Sequence, residues 1–514
     1  MSKTIIIIGA GLAGLSAALQ AAENGCNVKL VSSLPSERAQ SVMAEGGINA
    51  ALNTKDENDS PEEHFTDTIK AACGLADPNA VWGMTQAAPD LVHWLLKLGV
   101  KFNMSGYDDV DLRNFGGQKK KRTAFAQSDT GKQIMTAMID AVRRKEAFGM
   151  VERFSHHSFL TLRLCGNICC GCVIRDEYSQ ETVELPGDAV IVATGGMHGL
   201  FGNTTGSLSN TGEVTAELFR LGVPLANGEM IQYHPTTVKC GGKRMLISEA
   251  ARGEGGRLFA MKDGKQWYFM EEKYPELGNL MPRDITAREI WKVSHESEVF
   301  LDMTEISEEI ISNKLSGLAD DCMTYLHKDI RKEPVSVLPG IHYFMGGILV
   351  DEQHRTPIQN LYAAGECCAQ YHGANRLGGN SLLGALYGGR VAAKSACEQA
   401  DVVDLSCATQ IDFPPASQIS EIKQLNKVMQ ETMGVVRNEN TLLNGIQTVQ
   451  ALTGNLPLLG MAVLKSALAR KESRGAHWRE DYPKSNDDDY LKTTVARFDG
   501  KQIQISFVPV PERR

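Results

Sequence analysis

The hydrophobic pattern at the start of the chain predicts a strand, a helix and a second strand. Ile5 to Ile8 is an uninterrupted run of β-branched residues, which is typical of a buried strand. Leu15 to Asn24 has the apolar spacing of a helix, and Asn27 to Val31 is another short apolar run. Further along, residues 157 to 193 have the pattern of a β-meander that ends in the hydrophobic strand Ala189 to Val192. Strands that alternate with helices favour an α/β fold with a parallel sheet.

A glycine-rich turn joins the first strand to the first helix. It reads G-A-G-L-A-G from Gly9 to Gly14, and this spacing between a strand and a helix predicts dinucleotide binding. Gly9 allows the tight turn, Gly11 lets the backbone approach a pyrophosphate, and Gly14 lets the helix pack on the strand. Ala13, between the last two glycines, is also expected to contact the dinucleotide. The acidic residue typical of the second strand's end is absent, and Ser32 stands there to reach a ribose.

The pattern changes at about residue 231. Residues 231 to 340 carry no dinucleotide motif and are predicted to be inserted into the first domain, which resumes near residue 341. Residues 415 to 475 have mostly helical apolar spacing, and Lys501 to Val508 alternates like an edge strand. At 514 residues, the chain is long enough for roughly three domains.

The stretch from residue 341 to residue 390 predicts the centre of a binding site. Its glycines lie beside His342, His372 and Arg376, and Asn380-Ser381-Leu382 opens a helix that Asn380 or Ser381 could cap. A helix N-terminus suits an anion or a polarised ring carbonyl. This stretch therefore predicts a flat cofactor on one side and an anionic substrate on the other. For His372, a purely structural role is an equal alternative.

Polar residues of the inserted segment extend the candidate site. His234 and Thr236 lie two apart, Glu249 and Arg252 lie three apart, and Arg283 precedes a predicted helix that Asp284 could cap. The alternative for Glu249 and Arg252 is an ordinary ion pair on one helix face.

Charge and composition narrow the class of protein. The net charge of −9 argues against a general nucleic-acid-binding protein, and no apolar run reaches the roughly 18 residues of a membrane span. The first residues leave no room for a signal peptide, so we expect a cytoplasmic protein that contacts a membrane only through a partner.

The 12 cysteines are expected to be free thiols. The segment from Cys165 to Cys172 holds a single C-x-x-C and is interpreted as a strand beside a Gly-Asn turn, so no metal site is expected.

Together these motifs resemble the flavoprotein subunits of fumarate reductase and succinate dehydrogenase, with the related L-aspartate oxidases. The resemblance covers nearly the whole chain. The motifs that carry it are G-A-G-L-A-G, A-E-G-G, F-G-G-Q, A-T-G-G, Q-Y-H-P-T, E-A-A-R-G-E-G-G, M-P-R-D, H-Y-F-M-G-G, A-A-G-E, H-G-A-N-R-L-G-G-N-S-L and E-S-R-G-A-H-W-R-E-D-Y-P.

The resemblance implies an α/β architecture with three parts. A Rossmann-like FAD-binding domain would span residues 1–230 and 341–400, with an inserted α+β capping domain at 231–340. A C-terminal helical domain with a terminal strand would span residues 410–514.

The resemblance also implies the contacts with FAD. Glu366 would hold the adenosine ribose, and the glycines of the first turn would pass the pyrophosphate. The residues expected around the isoalloxazine and along the rest of the cofactor are Ala44, Glu45, Gly46, Gly47, Ala193, Thr194, Gly195, Asn380, Ser381 and Leu382.

The implied substrate is fumarate or succinate. His234, Thr236, His342 and Arg376 resemble the residues that bind the two carboxylates, and arginine with histidine supplies charge-assisted hydrogen bonds at both ends. Arg283 matches the arginine that passes a proton to the substrate, while Glu249 and Arg252 match its relay.

One departure concerns FAD attachment. Respiratory members attach FAD to a histidine, but Gln40 stands at that place and its amide cannot form the bond. We therefore expect noncovalent FAD and favour fumarate reduction as the working direction. The expected electron partner is an iron–sulfur subunit or another electron carrier.

Two alternatives remain open. An L-aspartate oxidase would need an acceptor for the substrate ammonium, but Phe115 occupies the matching place and cannot provide one. A flavin-binding scaffold without dicarboxylate chemistry would have no need of the converging residues His234, Arg283, His342 and Arg376.

Overall fold

The computed structural model of the chain describes residues 2–106, 108–401, 413 and 419–514. The domain boundary predicted at residue 410 and the helical start predicted at residue 415 lie outside the described residues.

The strands are short and come from every part of the described chain. In chain order they are β1 (Thr4–Ile8), β2 (Asn27–Ser32), β3 (Ile48–Asn49), β4 (Leu112–Arg113), β5 (Thr123–Ala124), β6 (Val151–Ser155), β7 (His157–Cys165), β8 (Ile168–Asp176), β9 (Thr182–Pro186), β10 (Ala189–Val192), β11 (Leu225–Ala226), β12 (Ile231–Cys240), β13 (Lys243–Leu246), β14 (Arg257–Lys262), β15 (Lys265–Trp267), β16 (Val299–Asp302), β17 (Val335–Ser336), β18 (Leu338–Phe344), β19 (Gly347–Leu349), β20 (Leu361–Ala363), β21 (Cys368–Ala369), β22 (Lys492–Phe498) and β23 (Ile503–Pro509).

The helices include several long ones near both ends of the chain. In chain order they are α1 (Leu12–Glu23), α2 (Pro61–Ala71), α3 (Pro78–Leu98), α4 (Thr130–Ala147), α5 (Glu213–Arg220), α6 (Glu249–Gly253), α7 (Phe269–Lys273), α8 (Arg283–Val293), α9 (Glu308–Lys314), α10 (Ser316–Asp321), α11 (Asn380–Gln399), α12 (Ile419–Thr432), α13 (Glu439–Val449), α14 (Asn455–Ala469) and α15 (Asp487–Tyr490).

A five-stranded parallel sheet forms the centre of the first domain. Its order is β20-β10-β1-β2-β6, and every neighbouring pair is parallel. Alternate residues of β1 enter different cores: Ile5 and Ile7 pack with α1, α4 and α11, whereas Ile6 and Ile8 pack with the β7–β9 meander. Burial on both faces explains the unbroken β-branched run in the sequence. The predicted α/β fold class is confirmed.

The segment between β12 and β18 has a hydrophobic core of its own. Strands β14 to β17 form an antiparallel sheet, and apolar residues of α7, α9 and α10 pack with it. Strand β12 pairs with β18, with Ile231 opposite Phe344, so the predicted boundaries at residues 231 and 341 fall on one strand pair. The chain therefore enters the inserted segment through β12 and leaves it through β18.

Helices α12, α13 and α14 pack together near the C-terminal end. The predicted edge strand at Lys501 to Val508 is confirmed as β23. It pairs with β22 in a hairpin, and β22 joins β11 through Leu225 and Ala496. A second strand, β22, thus precedes the predicted one and ties this part of the chain to β11.

The cysteine-rich segment forms the β7–β8 hairpin, as the sequence predicts. Cys165 takes part in a disulfide bond, so the expectation of free thiols was wrong for this residue. No helix among the described residues is long and apolar enough to cross a lipid bilayer.

Candidate active site

One cavity of about 550 Å³ lies at the carboxyl ends of β1, β2 and β10 and reaches β12, β18 and the first turns of α8 and α11. It brings together most residues that the sequence predicts for the site. Those lining it are Gly9, Gly11, Ala13, Ser32, Ala44, Glu45, Gly46, Gly47, Phe115, Ala193, Thr194, Gly195, His234, Glu249, Arg283, His342, Glu366, Arg376, Ser381 and Leu382. Five predicted residues, Gly14, Thr236, Arg252, His372 and Asn380, lie behind this lining.

The glycine turn allows the backbone to pass close to a ligand. Gly9 has φ of 110°, and a Cβ atom there would lie 2.2 Å from the oxygen of Ala193. A Cβ atom on Gly14 would lie 1.8 Å from the oxygen of Gly9, so Gly14 serves the packing of the turn. Gly11 is the N-cap of α1 and contributes no side-chain cap. The first turn of α1 therefore presents backbone N–H groups that suit a pyrophosphate.

Ser32 ends β2 at the edge of the cavity. Its hydroxyl oxygen is buried and has no hydrogen-bond partner among the described residues. A buried hydroxyl is normally paired, so this atom fits a ligand group such as a ribose hydroxyl. The glycine turn thus leaves room for a dinucleotide, and the N–H groups of α1 and the Ser32 hydroxyl can donate hydrogen bonds to it.

The N-terminus of α11 reaches the cavity through Ser381 and Leu382. The predicted cap by Asn380 or Ser381 was wrong: Gly379 is the N-cap, with φ of 84°, and no side chain caps the helix. Glycine takes this left-handed conformation without steric cost. The Asn380 side chain is turned away from the cavity, because it bonds with Asn49 at 2.7 Å and with Thr68 at 3.0 Å.

Glu45 also lines the cavity, within the predicted Ala44 to Gly47 segment. Its Oε2 atom is buried and has no hydrogen-bond partner within the part of the chain that the structure describes. Burial, with the nearby charges of Asp321 and Asp129, raises the pKa of Glu45 to about 8, although Arg113 acts against the shift. This carboxyl group can therefore hold a proton near neutral pH.

Glu366 lines the cavity beside β18. Its Oε1 atom accepts a hydrogen bond from the backbone nitrogen of Phe344 at 3.1 Å and lies 3.4 Å from Nε2 of His198. The predicted contact of Glu366 with a ribose stays a prediction.

Two imidazole rings and one guanidinium group form the polar end of the cavity. The rings of His234 and His342 meet edge to face, with centroids 5.1 Å apart. Burial and the charge of Arg283 lower the pKa of both histidines, so both rings are neutral. Burial and Arg283 also lower the pKa of Arg376 to about 9, and no described residue bonds to its buried Nε atom. This unpaired cation is suited to an anionic ligand.

Two further predicted residues stand behind the polar end. The hydroxyl of Thr236 donates to the oxygen of Ile247 at 2.8 Å, and its backbone nitrogen lies 3.2 Å from Nδ1 of His234. Thr236 therefore orients His234. His372 is buried with Nδ1 unpaired and does not line the cavity.

Arg283, Glu249 and Arg252 form a buried charged chain. Oε2 of Glu249 accepts from Nε of Arg283 at 2.7 Å and lies 2.6 Å from its Nη2. Oε1 of Glu249 lies 3.5 Å from Nη2 of Arg252. Burial favours the neutral acid, but the two arginines outweigh it and hold the pKa of Glu249 below its ordinary value. Arg283 is the first residue of α8 and Pro282 is its N-cap, so the predicted cap by Asp284 was wrong.

Gln232 is a site residue that sequence reasoning missed. It is fully buried, its Oε1 atom accepts from Nη1 of Arg283 at 3.2 Å, and its Nε2 atom donates to the oxygen of Arg376 at 2.8 Å. The signal was present in the sequence, since alternate residues of β12 share one face and Gln232 stands two before His234.

Phe115 gives the cavity an apolar wall. It is 2 % exposed, and its ring lies against Gly46 and Gly378, where added Cβ atoms would come within 2.8 and 2.9 Å of it. The position predicted to face the substrate therefore offers no polar group.

The glycine turn, the unpaired Ser32 hydroxyl and the sheet order define a dinucleotide-binding flavoprotein. A family model described as an FAD binding domain matches residues 4–382. A second, described as the fumarate reductase flavoprotein C-terminal region, matches residues 452–513. The chain is thus an FAD-binding oxidoreductase by its fold and its two matched regions.

Named relatives make the family specific. The succinate dehydrogenase flavoprotein subunit of Bacillus subtilis is 38% identical over 576 aligned positions, covering 100% of this chain and 98% of that protein. The 8-methylmenaquinol:fumarate reductase flavoprotein subunit of Wolinella succinogenes is 32% identical, covering 100% and 92%. A solved structure of the E. coli quinol fumarate reductase flavoprotein superposes with a TM-score of 0.90, at 28% identity over 99% and 97% of the two chains. The chain belongs to the family of succinate dehydrogenase and fumarate reductase flavoprotein subunits.

Proposed function

We propose that this protein interconverts fumarate and succinate with the help of bound FAD. The observation that carries the proposal is the convergence of Arg283, Arg376, His234 and His342 on the same cavity as the glycine turn and α11. When bound, FAD supplies or accepts the hydride at its N5 atom. The protein must then bind a dicarboxylate and deliver or remove one proton.

The two carboxylates have separate sets of donors. Arg376 provides a cation whose Nε atom has no other partner, and the neutral rings of His234 and His342 provide hydrogen bonds without added charge. Burial strengthens these bonds because the local dielectric is low. Binding at both ends would hold the substrate's carbon–carbon double bond close to Arg283.

Proton delivery is assigned to Arg283. It is the first residue of α8, and its side chain lines the same cavity as His234 and His342. Glu249 returns the proton through Oε2, which contacts both Nε and Nη2 of Arg283. Arg252 contacts the other oxygen and completes the route.

FAD is held without a covalent bond in this proposal. Gln40 lines the cavity at the position where the family's attachment histidine would stand, and an amide nitrogen is not a nucleophile. A covalent bond raises the flavin's potential, so its absence favours fumarate reduction. Electrons would come from an iron–sulfur subunit or another electron carrier.

The alternative activity, oxidation of L-aspartate, requires a group that accepts a hydrogen bond from the substrate ammonium. The buried ring of Phe115 stands at the corresponding wall and offers none. If the protein were only a flavin-binding scaffold, the buried guanidinium group of Arg376, whose Nε atom no described residue bonds, would have no function.

The test is a single-turnover measurement without oxygen. The bound flavin is reduced, fumarate is added, and reoxidation is followed by absorbance in the wild type and in Arg283→Gln. Arg288→Gln is the matched control, because Arg288 lies on the same helix and stacks on Trp478 at 4.0 Å rather than facing the cavity.

We expect rapid reoxidation by fumarate in the wild type and in the control, and none in Arg283→Gln. Flavin reduction by L-aspartate, with no reoxidation by fumarate, would establish the oxidase instead. No response to either compound would support the hypothesis of a flavin-binding scaffold without dicarboxylate chemistry.

A further inference from the structure

The backbone that carries Arg376 is held from three sides. The nitrogen of Ala374 donates to the oxygen of Ala72 at the end of α2, at 2.9 Å. The oxygen of Ala374 accepts from the nitrogen of Ala476, also at 2.9 Å, and Gln232 bonds to the oxygen of Arg376. One of the three attachments therefore comes from the C-terminal region, a hundred residues further along the chain.

The contact with the C-terminal region requires glycine at position 475. Gly475 has φ of 54°, and a Cβ atom there would lie 2.6 Å from the oxygen of Ala374 and 2.9 Å from its Cβ. The left-handed conformation disfavours a side chain, and the space excludes one. The turn Gly475–Ala476 thus lies directly on the Arg376 loop.

A buried ionic network holds this turn in place. Arg474 forms two hydrogen bonds with Glu472, at 2.8 and 2.9 Å, and Glu472 also accepts from Arg470 at 2.8 Å. Arg470 donates to Glu229 at 2.7 Å, and both of these side chains are fully buried. Arg474 donates further to the oxygen of Cys73 at 3.2 Å, next to Ala72. The network therefore joins the turn to the end of α2, beside Ala72, and to Glu229, which precedes β12.

The side chain of Arg376 depends on this frame. Its guanidinium group lies 4.4 Å from the ring centre of Tyr343, and no ion pair of Arg376 occurs within the described residues. Tyr343 belongs to the same small apolar cluster as Ala374 and Ala476. Because no carboxylate fixes the guanidinium, its position follows from the backbone attachments and the Tyr343 ring.

We propose that the Gly475–Ala476 turn, with Arg474 and Glu472 behind it, is a positioning element that sets the place of Arg376 for dicarboxylate binding. This inference rests on the proposed function. It assigns a task at the substrate site to residues of the C-terminal region that do not line the cavity. A displacement of the turn shifts Arg376, the proposed carboxylate anchor, so its effect falls on substrate binding first.

The test compares Gly475→Ala with Gly500→Ala. Gly500 also has a positive φ, of 90°, but a Cβ atom there meets nothing within 4 Å. Both variants place an alanine at a positive φ, and only the first disturbs the Arg376 loop. For each, the Kd of succinate is measured from the change in flavin absorbance, together with kcat and KM for fumarate, flavin content and Tm.

We expect Gly475→Ala to raise Kd and KM about tenfold or more, while Gly500→Ala leaves both at the wild-type value. Equal Kd values in the two variants would overturn the inference. A wild-type protein that binds no dicarboxylate would instead overturn the proposed function, so the two failures are distinguishable.

A second pair of variants tests the inference in case Gly475→Ala does not fold. Arg474→Gln removes the anchor of the turn, whereas Arg479→Gln removes another buried arginine, which bonds to Asp481 and to the oxygen of Ala467. We expect a raised Kd for succinate in the first variant only, with recovery in Arg474→Lys. A raised Kd in both variants would indicate general loosening and would contradict the inference.

Discussion

Nη1 of Arg283 lies 3.2 Å from Oε1 of Gln232, so an uncharged amide and the Glu249 carboxylate hold the same guanidinium group from two directions. The other end of the amide donates to the backbone oxygen of Arg376. One side chain therefore couples the proposed proton donor to the proposed carboxylate anchor. The distance between these two groups determines where a substrate carbon lies relative to the proton.

Replacement of Gln232 by leucine is expected to reduce fumarate turnover by roughly tenfold to a hundredfold, since a buried hydrogen bond to a charged group contributes about 1.5–3 kcal/mol. Steady-state kcat and KM are the measurement. Gln370→Leu is the control, because Gln370 is also buried but bonds to the oxygen of Asp351 away from the cavity. Equal losses in the two variants would contradict the coupling role.

Alanine at position 14 is expected to abolish flavin binding, because its Cβ atom would lie 1.8 Å from the oxygen of Gly9 and push the glycine turn open. The ratio of flavin to protein absorbance after purification is the readout. Gly25→Ala serves as the control: Gly25 has φ of 78° just beyond α1, but nothing lies within 4 Å of its added Cβ. Full flavin content in Gly14→Ala would show that the turn does not set the cofactor site.

Acid precipitation is expected to release all the flavin into solution, because Gln40 provides no atom that can bond covalently to it. The absorbance of the supernatant and the fluorescence of the precipitated protein on a denaturing gel measure the two fractions. Flavin that stays with the precipitated chain would mean that another side chain forms the attachment.

The stability of the protein is expected to fall with rising pH because of Glu45. Its folded-state pKa of about 8 lies above the ordinary value of 4.5, so the folded state binds a proton that the unfolded state releases between these values. The stabilisation is complete below the ordinary pKa and is lost as the pH passes the folded pKa. Tm measured from about pH 5 to about pH 9 should fall less steeply in Glu45→Gln than in the wild type. Parallel curves for the two proteins would exclude this assignment.

Local elements of the fold were predictable because short-range chemistry determines them. The strand, glycine turn and helix from Thr4 to Glu23 follow from β-branched packing and from the space that Gly9 and Gly14 leave. The cap of α11 was not predicted correctly, since Asn380 is a common capping residue and only tertiary structure shows that its amide is bonded to Asn49.

The long-range parts of the site required the structure. The pairing of β12 with β18 joins residues about a hundred positions apart, and no local pattern indicates which strand will be the partner. The role of Gln232 was hidden for a related reason. Strand periodicity places it on the face of His234, but its two hydrogen bonds depend on Arg283 and Arg376, which reach it from α8 and from the loop before α11.

The two arginines of the site belong to separately packed hydrophobic cores. Arg283 begins a helix whose residue Ile290 packs in the core of the inserted segment, whereas Arg376 lies beside α11, whose residues Leu383 and Leu386 pack with the parallel sheet. Cofactor binding requires the glycine turn and α11, which pack in the second core, whereas turnover also requires Arg283 from the first. A yellow preparation is therefore evidence of one correctly folded unit, and the ratio of specific activity to flavin content is the quantity that measures the integrity of the whole molecule.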